Sequence, residues 1–247
     1  MEYYYVQDLT AENILLSPEE SQHCTKVKRH KVGDTIAVTD GQGCLAKAVI
    51  ISIDKQHCAL NVTDREYGIG QRDFTFHLAI APTKNRDRIE WLVEKCVEIG
   101  IEKMTLITSA RSERSRVDLS RLERIAISAM KQSQTTYLPV IEACSFEEFI
   151  LNTKEQQGER YIAWCETGVE GKELAACPLS SDNIILMIGP EGDFSQEEVT
   201  TAQAAGFQEV RLGPKRLRTE TAGLYGCCVV AGKRAIQAIS NLPTLPQ

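Results

Sequence analysis

Residues 183–222 read NIILMIGPEGDFSQEEVTTAQAAGFQEVRLGPKRLRTETA, and this stretch decides the fold. An uninterrupted apolar run, 184–188, and a short predicted strand, 210–212, each end in a glycine turn. An uninterrupted apolar run is typical of a strand that is covered on both faces. Open α/β folds bind ligands where such strands leave the sheet. We therefore predict that the two turns lie on adjacent strands and form one ligand pocket.

Outward from this stretch, strands and helices alternate from residue 73 onward, which is typical of a parallel sheet with crossover helices. Residues 88–100 predict a helix whose apolar face ends at Gly100. Capping boxes are predicted at Ser120 with Glu123 and at Ser195 with Glu198. A long helix over 221–239 is rich in small residues, which favours close packing against another backbone, another subunit included. The predicted strands are 74–81, 104–108, 161–165, 184–188 and 210–212.

Residues 1–70 have a different pattern, with five short apolar or β-branched runs separated by turn signals. The runs are 3–6, 13–16, 35–39, 45–53 and 58–63. Ser17 and Pro18 predict the start of a short helix between them. Such a pattern indicates a small β-barrel. With a glycine-containing linker before residue 73, the chain is predicted to form two domains, 1–70 and 73–243.

Composition excludes several classes of protein. The chain has 247 residues, of which 43% are hydrophobic and 25% charged. No apolar run approaches the roughly 20 residues that span a bilayer, and the first ten residues do not resemble a secretory signal. We therefore expect a cytoplasmic protein. Its nine cysteines include no C-x-x-C pair, so we expect buried thiols and no metal site.

The net charge of -6 argues against a general nucleic-acid binder, but the basic residues are clustered. An acidic protein can still carry a basic groove, and the alternative is a set of solvated loops. In a nucleic-acid-binding protein, the residues expected to contact the backbone would be Lys26, Lys28, Arg29, Lys84, Arg86, Arg111, Arg114 and Arg216.

The glycine turns do not match the known phosphate loops. Neither a G-x-G-x-x-G nor a G-K-[ST] motif follows the strands. This disfavours a dinucleotide or nucleoside-triphosphate site. Glycines still allow a ligand to approach the backbone closely, so a cofactor held by backbone groups suits the turns. The alternative is a tight strand-to-helix turn without a ligand.

Four segments together resemble the ribosomal RNA uracil-N3 methyltransferase family (RsmE) of the SPOUT superfamily. They are IGPEGDFS, LGPKRLRTETA, the helix EWLVEKCVEIG and MKQSQTTYLP. HCTKVKRHKVGDTIAVTDGQG resembles that family's PUA-like RNA-binding barrel. The resemblance covers nearly the whole chain. It departs at Asp193, where the family often has glycine, and at Thr135 or Thr136, where it often has arginine.

This resemblance implies a PUA-like β-barrel followed by an α/β domain with a deep trefoil knot, and a homodimer. It also implies S-adenosylmethionine as the cofactor and 16S ribosomal RNA of the small subunit as the substrate. The catalytic positions are Arg218, Glu191 and Glu220. The cofactor-binding positions are Ile188, Gly189, Pro190, Glu191, Gly192, Leu212, Gly213, Leu217, Arg218, Thr219, Thr221 and Ala222.

The reaction suggests roles for these residues. Arg218, with Arg216 as a second candidate, is expected to stabilise negative charge on the uracil oxygens. Glu191 and Glu220 are expected to orient the arginines, with proton acceptance as the other option. A non-catalytic RNA-binding ribosome-assembly factor is the main alternative. A nucleotide-using α/β enzyme is a weaker one, because the phosphate-loop motifs are missing.

Overall fold

The computed structural model describes residues 2–55, 57–113, 117–164 and 172–240. The chain divides into two compact units. The first comprises Met1–Arg72 and Ala126–Leu138, and the second comprises Asp73–Ile125 and Pro139–Gln247. Within the described ranges, no helix is both long enough and apolar enough to cross a membrane.

A five-stranded mixed sheet forms the first unit, in the order β1-β3-β4-β5-β2. The strands are β1 (Tyr3–Tyr5), β2 (Asn13–Leu15), β3 (Thr35–Thr39), β4 (Leu45–Ile53) and β5 (Cys58–Glu66). All five predicted strands are therefore confirmed. The short helix α1 (Pro18–Gln22) is also confirmed, with the Ser17 hydroxyl accepting a hydrogen bond from the Glu20 N–H at 3.1 Å.

The segment Ala126–Leu138 completes this unit. The Gly43 N–H donates to the Thr136 carbonyl, and the Leu138 N–H donates to the Gly41 carbonyl, both at 2.8 Å. Thr136 is buried, and its hydroxyl donates to the Ile69 carbonyl. Where the family often has arginine, Thr136 therefore makes a structural contact inside the unit.

A parallel seven-stranded sheet forms the second unit, in the order β10-β12-β9-β11-β6-β7-β8. The strands are β6 (Thr75–Ile80), β7 (Lys103–Thr108), β8 (Val140–Ser145), β9 (Glu159–Ala163), β10 (Lys172–Glu173), β11 (Asn183–Ile188) and β12 (Gln208–Arg211). The predicted parallel sheet is confirmed. Cys165, at the end of a predicted strand, lies outside the described residues.

Two strands, β8 and β10, were not predicted, and the prediction that the two glycine turns lie on adjacent strands is wrong. The strand β8 is a half-exposed edge strand and β10 has two residues, so neither carries a buried apolar run. The strands β11 and β12 are not adjacent, because β9 pairs with both of them. Crossover connections, which the chain order does not specify, set this arrangement. The two glycine turns consequently lie on either side of the carboxyl end of β9.

Among the described residues, the α-helices that begin in this unit are α2 (Arg86–Ile99), α3 (Leu119–Ser133), α4 (Phe146–Thr153), α5 (Gln196–Ala204) and α6 (Thr219–Ser240). The capping box of Ser195 and Glu198 is confirmed. The predicted box at Ser120 is wrong, because Asp118 accepts the hydrogen bond from the Arg121 N–H at 3.1 Å. The predicted apolar face of α2 is buried at all five positions, Ile89, Leu92, Val93, Cys96 and Val97.

The small residues of α6 allow it to pack closely within its own subunit. A Cβ atom at Gly223 would lie 2.8 Å from Ile80 Cδ1, and one at Gly226 would lie 2.3 Å from Leu186 Cδ2. These glycines therefore serve the contact between α6 and the sheet, and another subunit is not needed to explain them. The trefoil knot implied by the resemblance stays a prediction.

Candidate active site

A cleft of about 1110 Å³ opens at the carboxyl ends of β9, β11 and β12 in the second unit. Both glycine turns line it, and Ala163 and Trp164 at the end of β9 lie between them. The predicted pocket is therefore present, although a third strand contributes to it. Its volume lies slightly above the usual range of about 300–1,000 Å³ for small-molecule and cofactor sites.

The first turn, after β11, is held tightly. The Asp193 N–H donates to the Pro190 carbonyl at 2.9 Å, and Asp193 has a φ of 62°. The buried Thr219 hydroxyl, in the first turn of α6, donates to the Gly189 carbonyl at 3.2 Å. A Cβ atom at Gly189 would lie 3.1 Å from the Phe194 nitrogen, so a side chain there would disturb the turn. The backbone of this turn is consequently fixed before a ligand binds.

The loop after β7 also supports the first turn. Arg111 Nη1 donates to the Gly192 carbonyl at 3.0 Å and to the Phe194 carbonyl at 3.3 Å. The buried Glu198 carboxylate accepts from the Ala110 N–H and the Ser195 N–H, both at 2.8 Å. Arg111 was predicted to bind RNA, and that role stays a prediction. The contacts here make it a positioning residue for the turn.

The second turn, after β12, depends on a residue that sequence reasoning missed. Gly213 has a φ of 98°, which favours glycine. Its N–H donates to Glu173 Oε2 at 2.8 Å, and Glu173 Oε1 lies 4.0 Å from Arg211 Nε. Glu173 lies in a polar stretch without periodicity, so only the pairing of β10 with β12 reveals its role.

The resemblance implies S-adenosylmethionine as the ligand of this cleft, and we expect Glu173→Ala to weaken its binding by about tenfold, because a hydrogen bond to a charged group contributes roughly 1.5–3 kcal/mol. Isothermal titration calorimetry measures this effect. Glu173→Gln keeps an acceptor oxygen and should restore most of the affinity. Glu155→Ala, whose side chain is 87% exposed, controls for the lost charge. Equal affinities for the wild type and Glu173→Ala would contradict the positioning role.

Arg218 is exposed and lines the cleft. Within the described ranges, its guanidinium makes no hydrogen bond or ion pair with another residue. Arg216 lies beside it, and its Nη2 is 3.5 Å from the Glu191 carbonyl oxygen. The Glu191 carboxylate accepts a hydrogen bond of 3.4 Å from the Lys84 N–H. Arg218 is therefore available for a ligand, and the carboxylate of Glu191 is not its partner.

Glu220 occupies a different environment from the one predicted. It is buried, it does not line the cleft, and its Oε1 lies 3.6 Å from Arg88 Nε on α2. Its Oε2 is buried without a hydrogen-bond partner among the described residues. The arginine that Glu220 contacts is therefore Arg88, and neither Arg216 nor Arg218.

Most of the predicted cofactor positions come together. Gly192 and Thr221 are the two that do not line the cleft. Those that line it are Ile188, Gly189, Pro190, Glu191, Leu212, Gly213, Leu217, Arg218, Thr219 and Ala222. Trp164 was missed, although it lies near the end of the predicted strand 161–165 and directly follows the observed strand β9, and that position is a signal for a residue at the edge of the sheet.

The predicted RNA-binding residues are distributed over both units. Lys26, Lys28 and Arg29 lie in the first unit, where Lys28 pairs with Glu2 at 2.6 Å and Arg29 has a φ of 60°. Exposed Lys84 pairs with Glu113 at 2.8 Å, and the hydrogen bond to Glu113 raises the pKa of Lys84.

Two further predicted RNA-binding residues lie in the described part of the second unit. Arg86 is exposed at the start of α2, and Arg216 lines the cleft. Arg114 lies outside the described residues.

Six of the eight described cysteines are buried, which confirms that these thiols act as small apolar residues. Cys228 is exposed and Cys144 is half-buried, so the expectation is wrong for these two. Cys96 Sγ and Cys227 Sγ are 3.2 Å apart where α2 packs on α6. Across the described part of the chain, no group of three potential metal ligands is found.

Comparison with known families gives two matches. The family described as "RNA methyltransferase domain" matches residues 71–231, and "RNA methyltransferase PUA domain" matches residues 16–63. A curated relative from Bacillus subtilis, "Ribosomal RNA small subunit methyltransferase E", is 26% identical over 250 residues, covering 94% of this chain and 96% of the relative.

Solved structures agree with these matches. A probable rRNA-methyltransferase from Porphyromonas gingivalis has a TM-score of 0.85 and 38% identity, covering 96% of this chain and 100% of that chain. A ribosomal RNA small subunit methyltransferase E from Neisseria gonorrhoeae bound to S-adenosyl methionine has a TM-score of 0.80 and 24% identity. The comparison covers 97% of this chain and 98% of that one. At this identity the second likeness shows the fold alone.

Proposed function

We infer the function from one premise: this chain belongs to the RNA methyltransferase family whose domain spans residues 71–231. We propose that it is an S-adenosylmethionine-dependent methyltransferase that methylates N3 of a specific uridine in 16S ribosomal RNA of the small subunit. The observation that carries the proposal is the guanidinium of Arg218, which no other described residue engages, in a cleft built from the predicted cofactor turns.

The cleft fits a cofactor held largely by backbone groups. A Cβ atom at Gly213 would meet no atom within 4 Å, so the glycine leaves open space at the turn. Thr219 and Glu173 hold the two turns in place through backbone contacts. We propose that residues 188–192, 212–213 and 217–222 hold S-adenosylmethionine. When bound, this cofactor supplies an electrophilic methyl group on a sulfonium.

Residues of this chain would then prepare N3 of the uracil to attack the methyl group. N3 of uracil is mostly protonated at neutral pH, so the site must favour the anionic ring. The Arg218 guanidinium would stabilise the charge that develops on the uracil oxygens, because it is always protonated and its donors are planar. Glu191, the predicted carboxylate that lines the cleft, would orient the substrate or accept the N3 proton.

Glu220 would act through Arg88, because Arg88 is the arginine that it contacts. We therefore propose a positioning role for Glu220 at the start of α6.

RNA binding would use both domains, 1–70 and 73–243. The match of residues 16–63 to an RNA methyltransferase PUA domain supports a role for Lys26, Lys28 and Arg29 in holding phosphates. Their positive charge would offset the negative net charge of the chain at the substrate surface. Arg86, Arg216 and Arg111 are proposed contacts in the second domain.

We also propose that the protein is a cytoplasmic homodimer. Exposed apolar side chains on the packed helices α2 and α6 support this proposal. They are Trp91, Tyr225, Ile236 and Ile239, which are 42%, 38%, 66% and 68% exposed. Burying such residues between two copies would remove apolar area from water.

In the decisive experiment, the protein is incubated with labelled S-adenosylmethionine and with small ribosomal subunits from cells that lack this protein. We expect one uridine of 16S RNA to become labelled at N3, as mapped by nuclease digestion and mass spectrometry. The alternative, a non-catalytic assembly factor, predicts binding to subunits without transfer. Calorimetry with S-adenosylmethionine alone separates the two, because an assembly factor that has lost the cofactor site gives no heat of binding.

A further inference from the structure

A second, smaller cavity of about 270 Å³ opens at the start of α2. It shares no lining residue with the cleft. One part of its wall is apolar and includes Pro82, Ile89 and Leu122. The remaining part is charged and consists of Arg86, Glu90, Asp118 and Arg121, with Thr83 and Val117 completing the lining.

The charges of the wall balance each other. Arg121 and Glu90 form a bidentate pair, with Nε to Oε1 at 2.6 Å and Nη2 to Oε2 at 2.8 Å. The hydrogen bond from Arg121 lowers the pKa of Glu90, so this pair stays ionised at neutral pH. The Asp118 carboxylate caps α3 by accepting from the Arg121 N–H and the Ser120 hydroxyl. Because the wall carries two cations and two carboxylates, it does not favour a free anion. A neutral group with polar edges fits this wall.

The geometry of the wall favours a flat ligand. A bidentate guanidinium–carboxylate pair is planar, and RNA-binding proteins stack unpaired bases on guanidinium planes. The apolar part of the wall offers a second surface for a ring. Arg86 is exposed, and among the described residues no hydrogen bond or ion pair engages its side chain. It is therefore available to contact the backbone phosphate of a nucleotide whose base lies in the cavity.

The cavity is next to the cleft along the same edge of the sheet. The strands β6 and β11 are neighbours, and the Ala81 N–H donates to the Ile188 carbonyl at 3.0 Å. The loops that follow these strands therefore leave the sheet side by side. The loop after β6 lines the cavity with Pro82 and Thr83, and the N–H of Lys84 reaches Glu191 in the cleft at 3.4 Å.

We propose that this cavity binds the nucleobase of a nucleotide that neighbours the target uridine. The base would stack on the plane of the Arg121–Glu90 pair, and Arg86 would contact its phosphate. Enzymes that take a base out of its stack commonly read flanking nucleotides, so the cavity would help to select the target. This inference rests on the proposed function.

Two variants test the cavity. Arg86→Gln removes the phosphate contact, and Val117→Trp fills the cavity from a half-buried position that tolerates bulk. Initial rates are measured with labelled S-adenosylmethionine over a range of concentrations of unmodified small subunits. We expect KM for the subunit to rise about tenfold or more in both variants, because Val117→Trp removes one base stack and Arg86→Gln removes a charged contact to a phosphate. We expect kcat and the Kd for S-adenosylmethionine to stay within about twofold of the wild type.

Matched controls separate the cavity from general effects. Arg124→Gln removes an exposed arginine of α3 that does not line the cavity. Val140→Trp places the same bulk on the exposed edge strand β8. Both should keep the wild-type KM, and thermal melting checks that every variant is folded.

Three outcomes would overturn the proposal. An unchanged KM in Arg86→Gln would show that no RNA phosphate is bound there, even if Val117→Trp fails to fold. A matching loss of cofactor affinity would show that the residues shape the cleft instead. A wild-type protein that binds S-adenosylmethionine but transfers no methyl group would instead refute the proposed function, and the RNA subsite with it.

Discussion

Arg218→Ala is expected to lower the rate of methyl transfer by about 10²–10³-fold, the cost of removing one donor that stabilises an oxyanion. The residue is exposed in the cleft, and its side chain is not engaged by any other described residue. Its loss should therefore leave the fold unchanged. The measurement is a single-turnover rate with labelled S-adenosylmethionine and small ribosomal subunits.

Arg218→Lys separates charge from geometry. Lysine keeps a positive charge but lacks the planar fork of donors, so an intermediate rate is expected. Lys215→Ala removes another exposed cation that lines the same cleft and should reduce the rate far less. If Arg218→Ala transfers methyl groups at the wild-type rate, its assignment as a catalytic residue is wrong.

The features of the site that could be predicted from the sequence depend on residues that are close together in the chain. The apolar face of α2 repeats at helical spacing, and the capping box of Ser195 and Glu198 involves residues three positions apart. Glycine turns at strand ends are equally local, so both edges of the cleft could be located without a structure. The motif resemblance adds residues such as Ile188 and Leu217, for which periodicity gives no functional signal.

The parts that could not be predicted depend on contacts between distant residues. The strand β9 lies between β11 and β12 because of crossover connections, so Trp164 enters the cleft without a local motif. Glu173 contacts Gly213 forty positions away. Glu220 contacts Arg88 on another helix, although Arg216 and Arg218 are closer to it in the sequence. Charge logic within a short segment therefore does not show which arginine a carboxylate contacts.

Arg111, in a charged loop, is another residue whose contacts could not be predicted from the sequence. A run of arginines and serines predicts a solvated or RNA-binding surface. In the fold, one of these arginines donates to the carbonyls of Gly192 and Phe194 and so becomes part of the support of the cleft. A long side chain at the edge of a sheet can reach the neighbouring loop, and only the strand order shows which loop that is.

Phe194 connects the stability of the second unit with the shape of the cleft. The side chain is 1% exposed, and its ring lies 5.9 Å from the ring of Phe146. A Cβ atom at Gly189 would lie 3.2 Å from its Cδ2, and its carbonyl accepts from Arg111. Phe194 therefore packs in the core and also supports the first turn of the cleft at Gly189.

We expect Phe194→Ala to lower the free energy of unfolding by about 3–5 kcal/mol, because deleting a buried aromatic ring removes its burial and leaves a cavity. We also expect it to weaken S-adenosylmethionine binding, since the turn at Gly189 loses its support. Urea unfolding measures the first effect and calorimetry the second. Phe149→Ala is the matched control, because Phe149 is 2% exposed in the same apolar cluster but does not line the cleft. It should lose similar stability while the folded protein keeps its cofactor affinity. Equal losses of affinity in the two variants would mean that general loosening of the core, rather than the position of Phe194, controls the cleft.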